Sequence, residues 1–148
     1  MESQKERTIV RIVRITDLSL DLPYFNSISA GFPSPADDFL EERLSLDKHI
    51  IKNPSSTFFV KIDGHSMTGA GIHDGDIIVV DRSLKPKVNQ IIVAIIDGEF
   101  TVKRLIKIDT EYYLRAEHPD YSDIIINQSN GFKVWGVVTY TLHQTNLR

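Results

Sequence analysis

Beyond Ser56 the chain is a series of short β-branched runs cut apart by turn residues, and this pattern leaves few folds open. Thr57–Ile62, Ile77–Asp81 and Gln90–Ile96 are too short for stable helices and rich in Val and Ile, so each is predicted to be a strand. Asp97-Gly98 is the strongest hairpin signal, because both residues tolerate the left-handed backbone of a two-residue turn. It joins Gln90–Ile96 to Glu99–Ile106. Further strands are expected at Tyr112–Ala116, Asp123–Ile126 and Phe132–Leu142. The fold class is therefore mainly β, with a small helical lead-in and no internal repeat.

That lead-in starts at a break, Gly31-Phe32-Pro33-Ser34-Pro35. Ser34 reads as an N-cap with Pro35 at N1 and Asp37 at N3, opening a helix through about Leu44 that presents Phe39, Leu40 and Leu44. Asp47–Lys52 adds a helical turn before Asn53-Pro54 stops it. Residues 1–30 form a separate N-terminal arm. Arg7, Arg11 and Arg14 would share one face of a helix, yet its β-branched residues suit an extended arm equally well. The arm is too small to hold a core of its own, so it packs on something or is mobile.

With 148 residues, one domain is expected after the arm. A net charge of −3 argues against direct binding of nucleic acid through a basic face. The absence of cysteine excludes disulfides, thiolate metal sites and cysteine nucleophiles at once. No apolar run approaches the length of a membrane helix, and Met1–Ile15 has no secretory core. The expected location is the cytoplasm.

Ser66, in Gly64-His65-Ser66-Met67, is a turn serine by default. The hydrolase elbow would need a glycine where Thr68 stands. His65 points away from its neighbour on an extended backbone and is a poor base for it. Neither His49, His73, His118 nor His143 completes a triad. Lys103 lies in Glu99-Phe100-Thr101-Val102-Lys103-Arg104-Leu105 and by default is an edge-strand surface residue. In an apolar cleft it would instead lose its charge, and a neutral amine can take a serine proton. Ser45-Leu46-Asp47-Lys48 matches S-x-x-K, but without its companion motifs it is read as chance. Asp74-Gly75-Asp76 beside His73 could suggest a metal, but carboxylates flanking a glycine before a strand read better as a turn. No metal and no cofactor are expected. Asn127-Gln128-Ser129 fits a glycosylation sequon of no consequence in such a compartment.

Together these segments resemble the LexA and UmuD family of self-cleaving Ser–Lys peptidases, the UmuD-like members above all. The resemblance covers roughly residues 29–142. It rests on Ala30-Gly31-Phe32-Pro33-Ser34-Pro35-Ala36, Pro54–Lys61, Gly64-His65-Ser66-Met67, Gly71–Asp76 and Val79-Val80-Asp81. Asp97–Leu105 and Trp135-Gly136-Val137-Val138 complete it. The ordered set of Ala-Gly, Ser-Met and Val-Lys is what makes it specific.

The resemblance implies a curved, partly barrel-like sheet, Ser66 as nucleophile and Lys103 as general base. It also implies a cleavage site at Ala30-Gly31 and an oxyanion site of backbone N–H groups at Ser66 and Met67. A cleavable arm, 1–30, would precede the peptidase-like domain, 31–148. The implied function is an SOS-response mutagenesis protein that cuts itself when a RecA–single-stranded-DNA filament binds. The implied partners are a second copy in a homodimer, a UmuC-type translesion polymerase and a sliding clamp, with DNA met only indirectly. His65 and His118 replace residues common in relatives, but neither is a catalytic position of the family. Three other readings are weaker. A LexA-like repressor needs a DNA-binding domain that 30 residues cannot supply. A signal-peptidase-like enzyme normally carries a membrane anchor. A non-catalytic interaction module need not keep Ser66, Lys103 and Ala30-Gly31 together.

Overall fold

The computed structural model describes residues 20–25, 28, 30–31 and 41–146. The described residues fall into two compact units, one within Ile15–Pro54 and one within Ser55–Arg148. The first is a two-stranded antiparallel ribbon, β1 (Asp21–Phe25) and β2 (Glu41–Ser45), followed by one helical turn, α1 (Leu46–Ile50). Leu22 pairs with Leu44 and Tyr24 with Glu42. This corrects the expected helix through Leu44: its last residues are strand, because pairing with β1 offers 41–45 a ladder that local propensity does not foresee. The expected cap at Ser34, the helix start at Pro35 and Asp37, and the arginine-bearing arm at 1–14 lie outside the described residues. Of the helical turn expected over 47–52, α1 covers 47–50 and stops at Ile50, with Ile51 already extended. The S-x-x-K serine precedes that turn and makes no side-chain cap to its backbone; its hydroxyl donates instead to the Asp47 carboxylate.

The second unit is the β body. Its strands are β3 (Thr57–Lys61), β4 (Ile77–Asp81), β5 (Ile91–Ile96), β6 (Glu99–Ile108), β7 (Glu111–Arg115), β8 (Ile124–Ile125) and β9 (Lys133–Leu142). All seven join one sheet in the order β3-β4-β9-β5-β6-β7-β8, and every paired neighbour is antiparallel. The mainly β expectation thus holds, strand by strand, to within one or two residues at the ends. The hairpin is at Asp97-Gly98, with φ of +49° and +78°.

Alternation along the strands feeds two apolar clusters. Val93 joins Val60, Met67, Ile72, Ile78 and Val80 in one. Its neighbours Ile92 and Ala94 join Leu105, Leu114 and Val137 in the other. A sheet buried on both faces explains why β4 and β5 read as nearly continuous apolar runs.

Strand β9 lies between β4 and β5 and carries an extra residue against each. Val79 and Val80 pair with Tyr140 and Val138, leaving Thr139 over; Val93 and Ala94 pair with Gly136 and Val134, leaving Trp135 over. Such bulges bend a strand and re-aim a side chain. At the second bulge the backbone comes so close to β4 that a Cβ on Gly136 would meet Val80 Cγ1 at 2.5 Å.

Candidate active site

The site is built from the connection between β3 and β4 and from the middle of β6. The β3–β4 ladder runs on past Lys61: Ile62 N–H donates to the Asp76 carbonyl (2.8 Å), and Gly75 N–H to the Ile62 carbonyl (2.9 Å). Residues 63–74 therefore form a loop closed at its base. Gly64 N–H is held by Asp74 Oδ1 at 2.8 Å, two residues before Ser66. Beyond Ser66 the chain makes a single 3₁₀ turn, Thr68–Ala70. Met67 is buried in the first apolar cluster, so an apolar anchor follows Ser66 directly. Gly69 N–H donates to the Glu117 carbonyl at 2.8 Å, and a Cβ at 69 would sit 2.7 Å from that oxygen. The same Glu117 binds Arg104 through its carboxylate. The turn that carries Ser66 is thus tied through Glu117 to the strand that carries Lys103.

Lys103 faces Ile92 across the β5–β6 ladder and is only 7% exposed. Its Nζ lies 3.3 Å from Ser66 Oγ, 2.8 Å from Thr101 Oγ1 and 3.1 Å from the Val102 carbonyl oxygen. No carboxylate is among these partners. Burial therefore acts unopposed and holds the Lys103 amine below the ordinary lysine value. Among the described residues, no carbonyl or side chain takes the N–H of Ser66 or Met67. These groups edge a cleft of about 200 Å³ walled by Val60–Met67, Ile72, Phe100–Lys103, Tyr121 and Trp135. The β9 bulge explains the position of Trp135. Its indole also meets Phe58 (5.3 Å) and Phe100 (5.6 Å), while the Arg82 guanidinium lies over its ring at 4.8 Å.

The structure brings Ser66, Met67 and Lys103 together. Ala30 and Gly31 are exposed in a bend of the other unit. Thr101 is a residue that sequence reasoning left without a role. Its signal was the i, i+2 spacing that puts it on the face of Lys103. His65 is exposed. His118 Nδ1 accepts the Asp120 N–H (3.1 Å) and its ring meets Tyr121 edge-on. Asn127 is spent capping a turn, with Oδ1 accepting from Ser129 N–H and Asn130 N–H.

A second cluster stands apart from these contacts. Asp76 is buried, and its Oδ1 lies 2.6 Å from His143 Nδ1. Its Oδ2 accepts the His73 N–H at 2.8 Å and lies 3.7 Å from His73 Nδ1. Sequence reasoning considered His73 and Asp76 but not His143, 67 residues beyond Asp76. Asp74, the other carboxylate of the suspected trio, goes to Gly64 instead.

No helix among the described residues is long and apolar enough to cross a membrane. The family model of S24-like peptidases matches residues 23–139. Protein MucA of Salmonella typhimurium is 42% identical over 120 residues, covering 80% of this chain and 82% of its own. Protein SamA of Salmonella typhimurium strain LT2 is 43% identical over 116 residues, or 78% and 80% of the two chains. LexA repressor 1 of Geobacter sulfurreducens is 34% identical over 130 residues, covering 88% of this chain and 63% of the repressor. The matched span contains both bulges, the Ser66 loop and the Lys103 strand, and the chain belongs to the S24-like peptidases.

Proposed function

We propose that this chain is a self-cleaving peptidase in which Ser66 attacks the Ala30–Gly31 peptide bond and Lys103 is the general base. The observation that carries the reading is the buried Lys103 amine, with no carboxylate partner among the described residues and 3.3 Å from the Ser66 hydroxyl. A neutral Nζ accepts the Oγ proton as Oγ bonds to the Ala30 carbonyl carbon. The N–H groups of Ser66 and Met67 stabilise the oxyanion. The C–N bond breaks, Gly31 leaves as an amine with the proton returned from Nζ, and water then hydrolyses the acyl-Ser66 ester. Ala30 and Gly31 offer the least side-chain bulk to a cleft of this size. In this reading a RecA–single-stranded-DNA filament raises the population of the arm-in-cleft state and supplies no catalytic group. The product, residues 31–148, serves as a homodimeric subunit of an error-prone translesion polymerase. Likeness to UmuD-like proteins supports that wider role.

The test is incubation of the purified chain alone across pH 6–10, and with activated filament at neutral pH, with fragment masses measured. A single cut at Ala30–Gly31 is expected in both arms. Ser66→Ala and Lys103→Ala should each slow it roughly a thousandfold or more while the fold persists. Cleavage by the Ser66→Ala chain at the same bond would refute the nucleophile assignment.

A further inference from the structure

We infer that His73, Asp76 and His143 form a binding site for one divalent transition-metal ion of the zinc type. The ligating atoms of the three side chains lie within 4.8 Å of one another. The scaffold fixes them from two directions. In the β4–β9 ladder Ile77 pairs with Leu142, so the next antiparallel step sets Asp76 beside His143. His73 is delivered by the turn before β4, where Asp76 N–H donates to the His73 carbonyl at 3.1 Å and His73 N–H returns a bond to Asp76 Oδ2. The two imidazole centroids lie 5.1 Å apart, with the rings tilted by 49°.

The chemistry of the set selects the ion. The Asp76 side chain is 3% exposed, and two imidazoles are gathered around its carboxylate. A buried carboxylate flanked by two imidazoles is an arrangement a divalent cation completes, taking the place of the hydrogen bond between His143 Nδ1 and Oδ1. Two nitrogens and one carboxylate oxygen match the preference of zinc and its neighbours. Magnesium and calcium require oxygen ligands in greater number. His73 and His143 are about half exposed, which gives a hydrated ion access, and a water would take the fourth position. The ion would clasp the chain leaving β9 to the turn entering β4. That same turn bears Asp74, which holds Gly64 N–H.

The test is independent of peptidase activity. Untagged full-length protein is titrated with Zn²⁺ against a chromophoric chelator, with Mg²⁺ as a parallel probe, and intact mass is checked throughout. One Zn²⁺ per chain is expected with Kd below about 10 µM, and no competition by Mg²⁺. His73→Ala and His143→Ala should each weaken binding more than about tenfold, while His65→Ala and His118→Ala leave it unchanged. Circular dichroism checks that both site variants stay folded. Absence of saturable binding, or binding indifferent to His73→Ala and His143→Ala, would overturn the assignment.

Discussion

At the residue scale, desolvation of one amine links the proposed activity to stability. Burial lowers the folded-state pKa of Lys103 below the unfolded value of about 10.5. Between the lowered value and the unfolded one, the unfolded chain binds more protons than the native one, so stability rises with pH across that window. Below the window the full penalty of a buried ammonium is present. Lys103→Met should therefore abolish cleavage and yet stabilise the protein at neutral pH, by on the order of 1 kcal/mol in urea unfolding. The cleavage rate of the wild-type chain should rise about tenfold per pH unit below the folded pKa and level off before 10.5. A rate flat from pH 6 to 10, with the fold intact, would remove Lys103 from the base role. Thr101→Val takes away the acceptor 2.8 Å from Nζ. It should slow cleavage several-fold, corresponding to about 1 kcal/mol, without altering the cut site in the fragment masses.

Two close backbone approaches separate site from scaffold at the scale of elements. Gly69 abuts the Glu117 carbonyl and Gly136 abuts Val80, so a methyl at either must displace its neighbour. The consequences should differ. Gly136→Ala strains the β4–β9 crossing inside the sheet, where Val80 is fully buried, and should cost roughly 1–3 kcal/mol in denaturant unfolding. Gly69→Ala pushes the 3₁₀ turn off its anchor and moves Ser66 relative to Lys103. It should lower the cleavage rate by more than its loss of stability explains, seen by comparing single-turnover rates with melting temperatures. Equal ratios of rate loss to stability loss in the two variants would contradict the tie through Glu117.

For the whole molecule, the Asp76 cluster contributes to the dependence of stability on acid pH. Burial opposes ionisation of Asp76. The His73 N–H, the His143 hydrogen bond and the charges of both imidazoles outweigh it and hold the carboxyl below the ordinary value of about 3.8. Its contribution is present above that value and is lost as pH falls through the folded pKa. Asp76→Asn, measured in EDTA, should destabilise at pH 7 and approach wild type toward pH 3. A constant difference in unfolding free energy between those two pH values would assign the effect to packing alone. The exposed Arg115–Asp123 pair, at 2.7 Å, should contribute little, because water and salt screen it.

The β body was legible in the sequence because strand signals are local. Val and Ile runs bounded by turn residues, and the Asp97-Gly98 pair, act within a few residues of chain. Ser66 and Lys103 could be singled out together only through the ordered motifs, since spacing alone made one a turn residue and the other a surface lysine. Three features were decided by tertiary structure. The strand at 41–45 depends on a partner some twenty residues earlier, which no local propensity records. The bulge that turns Trp135 into the cleft depends on β9 answering to two neighbours at once. His143 meets Asp76 only because the β4–β9 register puts them side by side. In each case the deciding interaction joins segments distant in sequence, and its free energy appears only once the chain has closed the loop between them.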